Sequence, residues 1–193
     1  MISPVTAEGE LDDTGVRRVI DHLAEGGVDG SLVLGTNGEG PSFSAAQRQR
    51  MVEKIEAAVG GDLSGRTIAV LGLSFKPETD DMRDAPSVDI IRGLLELGAS
   101  VRAFDPVAMA PAAKLLPEVS FAKDAYQACE GAEVLVIVTE WNQFRSLHMD
   151  RIRTALKQPI LVDLRNIYDP HRMKEQGFTY FSIGRSAKDL PSA

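Results

Sequence analysis

Cysteine is nearly missing from this chain: one thiol, Cys129, in 193 residues. A single thiol excludes an internal disulfide framework, and a reducing, cytoplasmic setting is expected. Basic excess is missing as well. Lys and Arg number 21 against 28 Asp and Glu, for a formal net charge of −7 and a pI near 5.0. That balance argues against nucleic acid and membrane surfaces as partners, since both need a basic face. No apolar run approaches the ~20 residues of a membrane-spanning helix. The opening MISPVTAEGELDD carries acid where a secretory signal carries base. His148 and His171 have no second His, Cys or carboxylate at metal-ligand spacing, so no metal site is expected. Internal repeats and low-complexity tracts are lacking, and no GxGxxG loop opens the chain.

What is present is ordinary for a folded domain: 44% hydrophobic and 25% charged residues, enough for one large core or two small ones. Short apolar runs predict strands at Ser31–Leu34, Thr67–Leu71, Ser100–Phe104, Val134–Val138, Ile160–Asp163 and Thr179–Ser182. Amphipathic stretches predict helices over Asp13–Glu25, Ala45–Val59, Ser87–Leu97, Ala108–Leu115 and Met149–Leu156. Gly26-Gly27, Gly60-Gly61 and Gly98 stand where the first three helices should stop. A further strand near Ser3–Thr6 is at most an edge, given Pro4. This alternation predicts an α/β fold with right-handed crossovers.

The most informative stretch is Gly72 to Pro86, GLSFKPETDDMRDAP, which follows the strand at 67–71 and leads into a helix. Lys76 and Arg83 flank that strand-to-helix turn, where cations and helix N-terminal amides together hold phosphate. Asp80 and Asp81 read either as an acid/base pair or, preferred, as residues that with Thr79 cap the helix start and orient Arg83. Trp141 reads as a base-stacking residue or, preferred, as packing. Asp105, before Pro106, reads as a ribose ligand or, preferred, as a turn former.

From about Met51 onward the segments MVEKIEAAVGGDLSGRTIAVLGLSFKPETDDMRDAP, VRAFDP, VLVIVTEWNQF, LVDLRNIYDP and GFTYFSIGR occur in order. In these the chain resembles the C-terminal, UDP-binding domain of the UDP-glucose and GDP-mannose dehydrogenase family. The resemblance implies a doubly wound, Rossmann-like parallel sheet over about 48–185. It implies that Phe75, Lys76 and Arg165 lie at a UDP-sugar, and that Arg83 reaches toward an NAD cofactor bound on another domain. That family's reactive cysteine lies in a Gly-rich motif this chain lacks, so Cys129 is expected to be structural. With no glycine-rich dinucleotide loop and no such cysteine, no cofactor and no catalytic residue are expected in this chain alone.

Residues 4–46, containing GVDG, an apolar run and GTNGEGPSFS, resemble the opening of the dihydrodipicolinate synthase and N-acetylneuraminate lyase family. That likeness implies a β/α fragment of TIM-barrel type over about 1–47, with Thr36 and Asn37 on a vestigial carboxylate-binding loop and no Schiff-base lysine. The barrel fragment is expected to extend or cover the Rossmann-like sheet, with 186–193 as a frayed tail. The two likenesses meet inside the predicted helix 45–59, whose apolar face is a candidate surface for a homodimer. The leading expectation is a chimera, an engineered or fused, non-catalytic α/β protein that retains at most weak binding of UDP or a UDP-sugar. The alternative is a piece of a UDP-glucose 6-dehydrogenase type of oxidoreductase that needs a separate NAD-binding half.

Overall fold

The computed structural model describes residues 44–183 and Arg18. The predicted strands at 3–6 and 31–34, Thr36, Asn37, the tail from 186 and, apart from Arg18, which is helical, the predicted helix 13–25 and the barrel-type fragment lie outside the described residues.

Six strands form one wholly parallel sheet: β1 (Thr67–Leu71), β2 (Ser100–Phe104), β3 (Ser120–Phe121), β4 (Val134–Ile137), β5 (Ile160–Asp163) and β6 (Thr179–Ser182). Their order is β3-β2-β1-β4-β5-β6, the Rossmann arrangement. The strands at the centre are continuous apolar runs because both their faces are covered. VLVI of β4 and ILVD of β5 are buried at every position, whereas β2 and β6, nearer the edges, alternate with more exposed residues. The register pairs Leu71 with both Phe104 and Ile137, Ile137 with Asp163, and Asp163 with Ser182. Five carboxyl ends therefore stop level with one another and make a straight rim.

Helix α1 (Ala45–Ala58) opens with a capping box: Ser44 Oγ accepts from the Gln47 amide at 3.3 Å, and Gln47 Oε1 accepts from the Ser44 amide at 2.8 Å. It buries Met51, Val52 and Ile55, and Val52 seats on Gly93 of α2 (Pro86–Glu96), where an added Cβ would lie 2.9 Å from Val52 Cγ2. An Arg48–Asp89 ion pair also joins these two helices. Gly60 and Gly98 follow α1 and α2 at φ +83° and +81°, stopping both helices as expected.

The remaining helices within residues 44–183 are α3 (Met109–Leu115), α4 (Ala125–Cys129), α5 (Asn142–Arg145), α6 (Met149–Ala155) and α7 (Pro170–Glu175). Right-handed crossovers put the helices of the β1-to-β3 half and those of the β4-to-β6 half on opposite faces. On one face α4 to α7 bury Ala125, Ala128, Cys129, Phe144, Ile152 and Met173 against Ala69, Leu71, Leu135, Ile137, Leu161 and Tyr180. Phe104 and Phe144 meet edge to face there, with centroids 6.4 Å apart. Helices α4, α5 and α7 and strand β3 were not predicted. Each is two to six residues long, too short to show a period in the sequence.

Cys129 lies fully buried in this core, and burial pushes its thiol up to about 12. Because the thiolate is the reactive form, the native protein at pH 8 should leave an aromatic disulfide reagent unreacted, and urea should release one thiol. Fast labelling of the native chain would contradict this placement.

Candidate functional site

The chain passes from β1 to β2 on one side and returns to β4 on the other, so the crevice outside the carboxyl ends of β1 and β4 is the switch point of the sheet. Gly72 leaves β1 at φ +88° and presses on the segment after β4: a Cβ there would stand 2.6 Å from both the Cβ and the backbone nitrogen of Thr139. Thr139 Oγ1 in turn donates to the Ser74 carbonyl at 2.7 Å. Ser87 Oγ donates to the Leu73 carbonyl, tying the start of α2 to the same loop. The loop closes through the Phe75 amide, which donates to the Asp81 carbonyl at 2.8 Å.

Asp105, at the end of β2, is fully buried and organises this corner. Its Oδ2 accepts from the amides of Leu73 (2.7 Å) and Ser74 (3.2 Å), from Ser74 Oγ (3.4 Å) and from Trp141 Nε1 (3.1 Å). Its Oδ1 accepts from the amides of Val107 (3.0 Å) and Ala108 (2.8 Å). The turn-forming reading of Asp105 therefore holds, with the added task of anchoring the loop after β1. Trp141 is buried and spends its N–H on Asp105, so packing holds over base stacking. Asp163 plays a matching part after β5, accepting from the amides of Arg165 (3.0 Å) and Tyr168 (3.1 Å) and from the Tyr180 hydroxyl (2.9 Å). Burial raises its carboxyl above the usual range, and the Tyr180 hydrogen bond opposes that shift.

On this scaffold the expected ligand residues share one rim. Phe75 is half-buried and Lys76 exposed, both just beyond β1. Arg83 is 88% exposed and paired in two places with Asp81, Nε to Oδ1 at 2.9 Å and Nη2 to Oδ2 at 2.7 Å. The Arg83 side chain and amide hold the Asp81 carboxyl down to about 2, with a lesser pull from Lys76. Asp81 thus orients Arg83 as expected. The capping half of that expectation is corrected: the N-cap of α2 is Ala85, which has no side-chain cap, and Pro86 at the first helical position has no N–H to satisfy. Thr79 Oγ1 instead accepts from the Asp81 amide at 3.1 Å, within the loop.

Arg165, at the end of β5, is only 7% exposed along its side chain. Its Nε and Nη2 engage both oxygens of Glu140, with Nη2 to Oε1 at 2.8 Å. Glu140 was missed in the sequence, where it stands 25 residues before its partner; only the pairing of β4 with β5 brings the two together. Backbone strain collects at the same edge. Among the described residues, the non-glycine positions at positive φ are Glu78 (61°), Asp84 (54°) and Asn166 (53°), all on the loops after β1 and β5. No group of three or more His, Cys, Asp or Glu among the described residues could hold a metal ion. No described helix is long and apolar enough to cross a membrane.

An open parallel sheet of this order, with Lys76, Arg83 and Arg165 on loops at its carboxyl rim, defines a doubly wound domain of the Rossmann class. The sequence model of the UDP-glucose/GDP-mannose dehydrogenase family, UDP binding domain, matches residues 69–170, just over half of the chain, and the chain belongs to this family. UDP-glucose 6-dehydrogenase of Rhizobium meliloti (strain 1021) is 49% identical over 139 residues, covering 72% of this chain and 32% of the relative. The enzyme of the same name from Pseudomonas aeruginosa is 41% identical over 176 residues, covering 88% of this chain and 38% of the relative. Among solved structures, a UDP-glucose dehydrogenase from Pyrobaculum islandicum superimposes with a TM-score of 0.58 at 32% identity, over 70% of this chain and 29% of that one. An NDP-N-acetyl-D-galactosaminuronic acid dehydrogenase from Methanosarcina mazei Go1 gives 0.61 at 25% identity, over 74% and 29%. The chain spans about a third of the length of the curated relatives it matches. The sequence model of the dihydrodipicolinate synthetase family matches residues 1–72, so the two likenesses overlap at 69–72, at the end of β1.

Proposed function

We propose that this chain holds a UDP-sugar on the rim between β1 and β4, with Lys76 on the diphosphate, Phe75 flanking the ligand and Arg165 donating to it from the end of β5. Oxidation of the sugar needs a separate half that carries NAD and a reactive cysteine, and Arg83 reaches toward that half's cofactor. The family match over 69–170, which spans all four residues, carries the reading. Charge at the rim supports it. Arg83 and Arg165 each face a carboxylate, whereas Lys76 is exposed and has no ion pair among the described residues. A diphosphate therefore meets Lys76 without displacing an anion. The loop after β1 does not suit NAD: residues 72–85 contain one glycine and end on Pro86, so no glycine-rich turn sets a pyrophosphate on the first turn of α2. That supports a cofactor supplied by the partner.

Calorimetric titration tests the binding step. UDP and UDP-glucose should give saturable heat, and Lys76→Ala should weaken both about tenfold, the loss of one charge-assisted hydrogen bond. No heat at millimolar ligand overturns the reading. NAD with UDP-glucose should yield NADH only once the NAD-binding half is added, and reduction by the chain alone would contradict the division of labour.

The match of residues 1–72 to the dihydrodipicolinate synthetase family favours a second reading, a fused chain that binds nucleotide and catalyses nothing. The curated relatives, UDP-glucose 6-dehydrogenases, favour the first. Nucleotide binding without complementation would reverse that preference.

A further inference from the structure

The turn that presents Arg165 is held by a contact with no part in the reading above. Asn166, the next residue, stands at φ +53°, a left-handed conformation that Asn tolerates better than most side chains but that still has to be held. Its side-chain amide spends both ends on one residue: Nδ2 donates to the Ile183 carbonyl at 3.0 Å, and Oδ1 accepts from the Ile183 amide at 3.1 Å. Two such bonds to one residue are what an antiparallel strand would make, here one step past the end of β6. The base of this clamp is itself fixed. Ser182 is in register with Asp163, and its carbonyl accepts from Lys54 Nζ, which reaches across from α1. Inside the turn, the Asp163 carboxylate takes the amides of Arg165 and Tyr168, so both flanks of Asn166 close on one acid. The Arg165 backbone is thus set from two directions, by Asp163 through its own amide and by Ile183 through its neighbour.

We infer that Asn166 is a positioning residue for Arg165: clamped to Ile183, it keeps the turn after β5 in the left-handed conformation that aims the guanidinium across the rim toward Glu140. The inference rests on the reading that Arg165 donates to the ligand. The Asn166 amide faces Ile183, so it acts through Arg165 and not by contact with the ligand. Arg165 is only 7% exposed along its side chain, so a turned backbone leaves the enclosed guanidinium little room to regain its aim. A glycine at 166 adopts the same φ without strain but has no amide to clamp, which separates the conformation from the contact that fixes it.

A double-mutant cycle tests this on the full chain, with UDP-glucose binding measured by calorimetry for Asn166→Gly, Arg165→Gln and the two combined. Asn166→Gly should weaken UDP-glucose about fivefold, the scale of one hydrogen bond lost in holding the turn. Arg165→Gln should weaken it about tenfold. In the Arg165→Gln background, Asn166→Gly should cost nothing further, because the group it positions is gone. A merely structural role for Asn166 would give the same fold-loss in both backgrounds, which overturns the inference. Unchanged binding by Asn166→Gly overturns it too, and both of these outcomes leave the proposed function standing. Unchanged binding by Arg165→Gln removes Arg165 from the ligand and the inference with it, and no binding by the unaltered chain removes both inference and function. Thermal unfolding checks that each variant folds. If Asn166→Gly does not, Asn166→Asp, which sets a carboxylate against the Ile183 carbonyl, takes its place in the cycle; if Arg165→Gln does not, Arg165→Lys does.

Discussion

Gly72→Ala should destabilise the protein by about 3 kcal/mol or more, because two penalties fall on one methyl group. At φ +88° an L side chain is strained by roughly 1–2 kcal/mol. The new Cβ would also lie 2.6 Å from the Thr139 backbone nitrogen, and backbone cannot rotate away as a flexible side chain can. Relief requires β1 and β4, hydrogen-bonded neighbours at the centre of the sheet, to move apart. Gly65→Ala is the internal control. Gly65 also has a positive φ, of 70°, but an added Cβ there meets nothing within 4 Å. It should lose only the strain term, about 1 kcal/mol. Urea denaturation of both variants separates the two contributions. Equal losses at the two positions would mean that β1 and the segment after β4 are not in the close contact described.

Asp105→Ala should cost about 4 kcal/mol and lower the unfolding midpoint by about 10 °C or more. The substitution leaves the amides of Leu73 and Ala108 and the Trp141 indole N–H without their acceptor in a buried corner. A buried donor left unsatisfied costs roughly 1–3 kcal/mol, so the damage exceeds the value of any single bond. Asp105→Asn keeps one acceptor oxygen and should lose about half as much. Both variants should also weaken UDP, since Leu73 and Ser74 carry the base of the loop that presents Phe75 and Lys76. Scanning calorimetry with a UDP titration checks the pair of effects. A midpoint shift of only a degree or two would show that water replaces the carboxylate at little cost.

Much of this was legible in the chain, for identifiable reasons. Strands such as Val134–Ile137 and Ile160–Asp163 announce themselves because burial on both faces demands an unbroken apolar run. Strand β3 does not, being only Ser120 and Phe121. The short helices α4, α5 and α7 are held mainly by tertiary contacts, such as Phe144 in the core, and they leave no periodic trace. Lys76 and Arg83 could be chosen by charge from the motif after β1, Phe75 and Arg165 only by the family resemblance, and all four lie on the loops at one rim. The Glu140–Arg165 ion pair could not, because only strand order brings the two residues together. The aspartates at 80 and 81 were placed at a helix start because acids commonly sit there. The helix begins later, at a proline that needs less capping.

The level ends of the strands carry a continuous polar seam: Asp105 to Ser74, Ser74 to Thr139, Glu140 to Arg165, and Asp163 to Tyr180. Binding loops usually open at little cost, independently of the core they stand on. Here the roots of the loops after β1, β2, β4 and β5 are stitched to one another and to the strand ends, so they can come loose only together with the sheet. The tip of the first loop, near residues 76–84, is held instead by bonds within itself, from the Phe75 amide to the Asp81 carbonyl and from Arg83 to Asp81. If the proposed ligand binds here, the floor beneath it is already set, and little conformational entropy is left for binding to remove.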